Sequence, residues 1–198
     1  MHRLLREIRS CEHCKESLPL GPRPVVTAGI RSRIAIIGQA PGARVHKSGI
    51  PWDDASGKQL RAWLGTDTGI FYDSGLIALV PMGFCYPGKG KSGDLPPRPE
   101  CAPLWHQALL DRMPQLDLVV VIGAYAQAYY LRDKRKANLT ETVRAFREYL
   151  PAYFPLPHPS PRNRFWLSKN PWFEREVIPE LQAMVHTTLG IPNQAPDI

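Results

Sequence analysis

The chain has 198 residues and a formal net charge of +7, with 43% hydrophobic and 22% charged residues. This length suffices for one domain with a substantial core, so residues 1–198 are expected to form a single domain. The apolar runs are too short to span a membrane, and the amino-terminal MHRLLREIRSCEHC has no apolar signal core, so we expect a cytoplasmic protein without a membrane partner. The positive charge favours a polyanionic partner, although many basic proteins bind no nucleic acid.

Strand and helix patterns alternate along the chain. The first predicted strand, Arg33–Ile37, runs into a Gly-Pro turn at Gly38–Gly42. The helix predicted next has Ser56 as its N-cap and Gly65 as its stop. The later elements are strand GLIALVPMGF, helix CAPLWHQALLDRM, strand DLVVVIG, helix AYAQAYYLRD, helix TETVRAFREYL capped by Thr140, strand AYFPLPHPS and a last helix at about Pro171–His186.

This alternation predicts an α/β protein with a parallel sheet that is covered by helices on both faces. Ligands of such sheets bind beyond the carboxyl ends of the strands. The loops GQAPG and HPSPRN each follow a predicted strand at that end. We therefore expect both loops to face one crevice.

The segment Gly38–Gly57, GQAPGARVHKSGIPWDDASG, begins at the first of these loops. Glycine and proline after a buried strand allow close backbone approach to a ligand, and the backbone amides can hold an oxygen or an anion. An aromatic face with amide and carboxylate groups, here Trp52, Gln39, Asp53 and Asp54, is what a nucleobase pocket requires. The alternative is an ordinary turn with the tryptophan in the core and the aspartates near a helix N-terminus. The segment matches neither GxGxxG nor GxxxxGK(S/T), which disfavours a nucleoside-triphosphate enzyme.

The second loop lies in the stiff, proline-rich stretch PLPHPSPRNRFW. A histidine held between two prolines, as His158 is, suits general acid catalysis or a hydrogen bond to developing negative charge. Arg162 and Arg164 can bind phosphates on either side. Phe165 and Trp166 could stack or wedge, but we expect them to pack. The alternative is a loop histidine with an ordinary hydrogen-bond partner.

The four cysteines of the chain are Cys11, Cys14, Cys85 and Cys101. The first two form a C-x2-C pair in a chain that we expect to be cytoplasmic, a setting that favours metal or cluster binding over disulfides. Zinc and an iron–sulfur cluster both accept four thiolates. The alternative is four reduced cysteines that bind nothing.

Three motifs and the cysteine pattern, in this order, resemble the uracil-DNA glycosylase superfamily over nearly the whole chain. GQAPG and SGIPWDDASGKQL are similar to the GE(A/G)PG and GxPFVGxAGxLL segments of the family 4, iron–sulfur uracil-DNA glycosylases. The cysteine spacing is similar to that of the cluster ligands of family 4. HPSPRN followed by SKNPWFE resembles instead the second motif of the single-strand-selective monofunctional uracil-DNA glycosylases.

The resemblance implies a three-layer sandwich with a central four-stranded parallel sheet, and hydrolysis of the N-glycosidic bond of uracil or a related deaminated base flipped out of DNA. It implies that His158 stabilises the departing base, that Trp52 stacks on it, and that the four cysteines hold a structural [4Fe–4S] cluster. It further implies base contacts from Gly38, Ala40, Pro41 and Gly42, and a grip on DNA by Pro159, Ser160, Pro161, Arg162, Asn163 and Arg164.

Two departures from the family pattern bear on chemistry. Gln39 stands where family 4 has glutamate, and an amide can position water but cannot accept its proton. Asp53 and Asp54 are then the nearest carboxylates, with a slight preference for Asp54. Pro81 in ALVPMGFC stands near the position where family 4 has an asparagine that reads the base edge.

Three hypotheses remain open: a monomeric, monofunctional DNA glycosylase; a nucleic-acid-binding protein that keeps the fold without excision; and an unrelated metalloprotein. Basic residues outside the motifs fit a DNA backbone track, although each alone is explained as a solvated surface residue. They are Arg44, Lys47, Lys89, Lys91 and the run Arg132–Lys136.

Overall fold

The structure, a computed structural model, describes residues 1–91 and 93–192. In this part of the chain the helices are α1 (His2–Arg9), α2 (Ala43–Ser48), α3 (Ala55–Leu64), α4 (Thr68–Tyr72), α5 (Cys101–Leu110), α6 (Gly123–Leu131), α7 (Leu139–Arg144), α8 (Arg164–Lys169) and α9 (Ile178–Leu189). The strands are β1 (Ile34–Ile37), β2 (Ile77–Leu79), β3 (Lys89–Gly90), β4 (Gly93–Asp94), β5 (Leu118–Ile122) and β6 (Tyr153–Leu156).

The four predicted strands form one parallel sheet in the order β2-β1-β5-β6. In its register, Ile36 lies between Leu79 and Val120, and Val120 in turn lies opposite Phe154. The short strands β3 and β4 form a separate antiparallel hairpin. The expected α/β architecture is therefore confirmed.

Two apolar cores lie on the two faces of the sheet, because successive side chains of a strand point to opposite sides. Ile36 and Val120 belong to the core that includes residues of α3 and α9. Ala35 and Val121 belong to the core that includes residues of α1, α5 and α6. Helices thus cover both faces, as a three-layer sandwich requires.

Both predicted helix caps were wrong. Helix α3 is capped by Asp54, whose Oδ1 accepts from the Gly57 amide at 2.8 Å, so Ser56 lies inside the helix. Helix α7 is capped by Asn138, whose Oδ1 accepts from the Glu141 amide at 2.9 Å. In both cases an aspartate or asparagine in extended backbone lies upstream of the predicted cap and already reaches the third helical amide. Gly65 does end α3, in the left-handed conformation.

Two further boundaries differ from the predictions, and four short helices were missed. The regular part of the second strand is only Ile77–Leu79, since Pro81 follows closely and cannot donate to a ladder. The predicted last helix begins as a wider π-helical turn, Phe173–Val177, before α9. Short helices α1, α2, α4 and α8 were not predicted.

The carboxyl ends of the parallel strands bring four chain segments to one edge of the sheet. They are the loop after β1, the segment after β2, the start of α6 after β5, and the proline-rich loop after β6. The Met82 amide donates to the Gly38 carbonyl at 2.9 Å and the Gly83 amide to the Gln39 carbonyl at 3.0 Å. These bonds join the first two segments beyond the end of the sheet.

The basic run Arg132–Lys136 lies at the opposite edge. Helix α6 starts at the carboxyl end of β5 and runs back along the sheet, so its last residue, Leu131, reaches the amino edge. There the hydroxyl of Tyr149, which lies just before β6, donates to the Lys134 carbonyl at 2.9 Å. This run therefore cannot extend a DNA track from the two motif loops.

Among the described residues, no helix is both long and apolar enough to cross a membrane.

Candidate active site

A cavity of about 380 Å³ opens at the carboxyl edge of the sheet. It is bounded by the loop after β1, the residues before α3, the segment after β2, the β3–β4 hairpin and the loop after β6. Its lining residues are Val25, Gly38, Gln39, Ala40, Pro41, Gly42, Val45, Pro51, Trp52, Asp54, Ser56, Pro81, Gly93, Asp94, Leu95, His158, Ser160, Arg162 and Asn163. The expectation that the two motif loops face one crevice is confirmed.

Trp52 occupies a position that two glycines make possible. A Cβ on Gly38 would lie 2.6 Å from Trp52 Cζ2, and a Cβ on Gly57 would collide with the Trp52 carbonyl. Trp52 itself has a φ of 58°, a left-handed conformation that is unfavourable for a bulky residue. Such backbone costs about 1–3 kcal/mol and is held by its surroundings, often at functional sites.

The imidazole of His158 lies beside this indole, with ring centroids 5.8 Å apart and planes inclined by 32°. The loop that carries it is braced at both ends. Gln127 is buried and its Nε2 donates to the Leu156 carbonyl at 2.9 Å, while Asn163 Nδ2 donates to the His158 carbonyl at 2.7 Å. The flanking prolines restrict the backbone further. The histidine is therefore preorganised rather than mobile in its loop.

Burial lowers the pKa of His158 below its usual value, whereas the carboxylates of Asp54 and Asp94 act in the opposite direction. The lowered pKa means that the imidazole is neutral at neutral pH. A neutral imidazole still carries one N–H and can donate a hydrogen bond.

The two candidate carboxylates have different environments. Asp54 lines the cavity, and one of its oxygens accepts from the Gly57 amide. Asp53 does not line the cavity; its Oδ1 lies 3.8 Å from Nη2 of the exposed Arg44. Only Asp54 of this pair is therefore placed to act on a ligand in the cavity.

Of the predicted DNA-contacting residues, too, some line the cavity and others do not. Ser160, Arg162 and Asn163 line the cavity, and the Ser160 hydroxyl accepts from the Arg162 amide at 3.3 Å. Pro161 and Arg164 are exposed at its side, and Pro159 is buried. Asn163 also braces the loop through its bond to the His158 carbonyl, a role that its position in the motif did not indicate.

The two aromatic residues after this loop differ, contrary to the expectation that both pack. Trp166 packs edge-on against Trp172 and Phe173, and its Nε1 donates to Thr140 Oγ1 at 2.8 Å. Phe165 is 69% exposed, with the Lys169 ammonium 4.2 Å from its ring centroid.

Sequence reasoning missed the β3–β4 hairpin, which contributes Gly93, Asp94 and Leu95 to the cavity. A Cβ on Gly93 would lie 2.6 Å from Arg162 Nη1, so the hairpin contacts the second motif loop. The glycines of PGKGKSGD signal a turn, but no local pattern places that turn over the cavity. The hairpin adds a second carboxylate, Asp94, to the site.

The four cysteines, all with free thiols, line a second, smaller pocket beside Arg98 and Trp105. The Phe84 amide donates to Cys101 Sγ at 3.3 Å. Burial raises the pKa of Cys85 to about 11 and that of Cys101 to about 12. Within residues 1–91 and 93–192, no group of three His, Cys, Asp or Glu side chains is arranged to hold a single metal ion.

Comparison with protein-family models matches residues 26–182 to the model described as the Uracil DNA glycosylase superfamily. The matched region covers well over half of the chain and includes both motif loops, the hairpin and Cys85 and Cys101. The parallel sheet with helices on both faces is consistent with the fold of that family. With the motifs, the fold and the match in agreement, the chain belongs to the uracil-DNA glycosylase superfamily.

Proposed function

We propose that the chain is a monofunctional DNA glycosylase that hydrolyses the N-glycosidic bond of uracil or a related deaminated base flipped out of DNA. The observation that carries this proposal is the convergence of Trp52, His158 and Asp54 in one cavity. Glycosidic cleavage leaves negative charge on the base and positive charge on the sugar. An aromatic face, a hydrogen-bond donor and a carboxylate are the groups that this charge separation needs.

His158 acts as the donor. Its neutral imidazole donates to an oxygen of the base, and the bond strengthens as the electron pair of the breaking bond moves onto the base. A donor that is already held by its loop needs no reorganisation at that moment. The Trp52 ring, 5.8 Å from the imidazole, provides the face on which the base stacks.

Asp54 acts on the sugar side. Its carboxylate stabilises the oxocarbenium-like sugar and accepts a proton from the attacking water, whose oxygen forms the new bond to the anomeric carbon. Gln39, also in the lining, orients that water through its amide. Backbone groups of Gly38, Ala40, Pro41 and Gly42 contact the edge of the base.

DNA is held by the second motif loop. Ser160, Arg162 and Asn163 line the mouth of the cavity, and the exposed Arg164 begins α8 next to them. Cations here would pair with the phosphates that flank a flipped nucleotide. Lys89 and Lys91, on and beside β3, add positive charge on the hairpin side.

We further propose that the subfamily is closest to the family 4 enzymes and that Cys11, Cys14, Cys85 and Cys101 hold a [4Fe–4S] cluster, with zinc as the alternative. Four thiols around one pocket are the donor set of either group. Since no three described side chains are arranged around a single ion, a cluster, whose cysteines bind different iron atoms, fits this pocket better than zinc does. The cluster would supply a structural cross-link between the amino-terminal C-x2-C, the segment after β2 and the first residue of α5. Monomeric state and cytoplasmic location stay predictions of the sequence.

A non-catalytic nucleic-acid-binding function is the second candidate. Two cavity residues favour it: Gln39, whose amide has no proton-accepting capacity in the physiological range, and Pro81, which offers no side-chain hydrogen bond to a base. Such a protein would keep the cavity and the basic loop but would not cleave the glycosidic bond.

A base-excision assay separates the two candidates. Labelled oligonucleotides carry uracil, hypoxanthine or xanthine in single- and double-stranded form, and the enzyme is compared with His158→Ala and with the matched control His2→Ala on the surface of α1. We expect alkali-dependent strand cleavage that His158→Ala loses and His2→Ala keeps. DNA binding without cleavage of any substrate would support the non-catalytic candidate. Strand cleavage without alkali would contradict the monofunctional assignment.

A further inference from the structure

His106 is a buried histidine that the proposed chemistry does not use. It lies on α5, is 1% exposed and does not line the cavity. Its Nε2 lies 3.1 Å from the Pro81 carbonyl oxygen, and its Nδ1 lies 2.7 Å from the Tyr130 hydroxyl. The Phe84 ring stacks on it with centroids 5.6 Å apart and planes inclined by 15°.

The hydrogen-bond partners determine the tautomer of this imidazole. A carbonyl oxygen can only accept, so Nε2 must carry the proton and donate to Pro81. Nδ1 then has a lone pair and accepts from the Tyr130 hydroxyl. Burial lowers the pKa of His106 to about 4, which keeps the ring neutral in this arrangement.

The segment that His106 holds is also a wall of the cavity. Pro81 lines the cavity, and the next two residues, Met82 and Gly83, donate to the carbonyls of Gly38 and Gln39. A shift of the Pro81 peptide would therefore be transmitted to the loop after β1. Helix α5 contacts the segment at a second point, since the Phe84 amide donates to Cys101 Sγ.

The hydrogen bond from His106 to the Pro81 carbonyl affects what the cavity wall offers to a ligand. Proline has no N–H, and its carbonyl is hydrogen-bonded to a histidine that lies outside the cavity, so Pro81 offers a ligand neither a backbone donor nor an unbonded carbonyl. An unbonded carbonyl at this wall would be an acceptor. It would attract the amino group of an undamaged base and repel the carbonyl that deamination puts in its place.

We propose that His106 is a positioning residue that fixes the Pro81 wall without a free acceptor and thereby favours deaminated bases over their amino-bearing parents. This inference rests on the proposed function. It concerns base selection in the binding step and not the bond-breaking step.

Binding measurements test it in a His158→Ala background, where the base stays attached. The probes are oligonucleotides that differ at one position, uracil against cytosine and hypoxanthine against adenine, and the readout is the ratio of their dissociation constants. His106→Gln places an amide donor near the position of Nε2, His106→Asn is too short to reach Pro81, and His106→Leu removes the donor. We expect the preference for the deaminated base to survive in His106→Gln and to fall about tenfold in the other two, since each tenfold corresponds to about 1.4 kcal/mol, the scale of one lost hydrogen bond.

The outcomes are distinguishable. A reference protein that shows no preference in either pair overturns the proposed function and this inference with it. A preference that persists unchanged in folded His106→Asn or His106→Leu overturns the inference alone, even if the melting temperature falls, because a purely structural role lowers stability without changing the ratio. If His106→Leu does not fold, His106→Asn decides: a tenfold fall in its ratio supports the inference, and an unchanged ratio overturns it.

Discussion

The ring centroids of Trp52 and His158 lie 5.8 Å apart in the cavity, although 105 residues, roughly half of the chain, separate the two in the sequence. Each ring is held by its own surroundings, the indole by two glycines and the imidazole by a braced loop. A flat ligand that enters the cavity meets an aromatic face and a hydrogen-bond donor together.

Gly38→Ala should weaken this site without unfolding the protein. The new Cβ would lie 2.6 Å from Trp52 Cζ2, so the indole must move. Because stacking of a base on an aromatic ring is worth about 1–3 kcal/mol, we expect a loss of lesion affinity of roughly tenfold or more. Titration of lesion-bearing DNA measures it, with Gly69→Ala on α4 as the control. Equal affinities in the two variants would contradict the role of the indole.

Asp54→Asn should abolish most excision, whereas Asp53→Asn should not. Asparagine is as good an N-cap as aspartate, so α3 is expected to remain intact. Loss of a positioned general base costs on the order of 10²–10⁴ in rate. Single-turnover excision and melting curves of both variants check this. Full activity in Asp54→Asn would move the water-activating role to another group, of which Asp94 is the first candidate.

The rate of excision should stay constant as the pH falls through the ordinary histidine range. Burial lowers the pKa of His158, so the neutral donor persists below the usual value of about 6.5. Asp94 favours the charged imidazole, so Asp94→Asn should lower the pKa further and shift the acid limb to lower pH. The check is single-turnover rate against pH, with Asp53→Asn as the control. A shift of that limb to higher pH in Asp94→Asn would contradict the electrostatic assignment.

DNA affinity should depend on Arg162 and Arg164 but not on Lys134 and Arg135. The first pair lies at or beside the cavity, and the second lies at the opposite edge of the sheet. Each lost phosphate contact should reduce the slope of log affinity against log salt by about 1. Fluorescence anisotropy at several salt concentrations measures the slopes of the alanine variants. Similar losses for both pairs would indicate diffuse attraction by net charge.

Cys14→Ser should remove the proposed cluster. We expect the purified protein to be brown and to contain iron and sulfide, and the variant to be colourless and less stable. The loss should also weaken lesion binding, since the segment after β2 contributes both to the cysteine pocket and to the cavity. Metal analysis after anaerobic purification identifies the metal that the cysteines bind. Stoichiometric zinc without iron would establish the alternative, and absence of both would refute metal binding.

Much of the architecture follows from local pattern. The apolar runs around Ile36 and Val120 predict buried strands, and their alternation with helices predicts a parallel sheet. Chain order then places the Gly38–Gly42 loop and the His158 loop at one edge. The helix caps were missed because Asp54 and Asn138 compete with the nearby Ser56 and Thr140 for the same role, and local sequence does not rank them.

The sequence by itself determined the fold class, the edge of the sheet that carries the cavity, and many of the residues that line it. Tertiary structure decided that Asp54 rather than Asp53 faces the cavity, that Asp94 joins it, and that His106 holds Pro81 from behind. The physical reason is the range of the interactions. Periodicity and turn preference act over a few residues and can be identified in the sequence, whereas these contacts join distant segments whose positions only the packing of the whole chain determines.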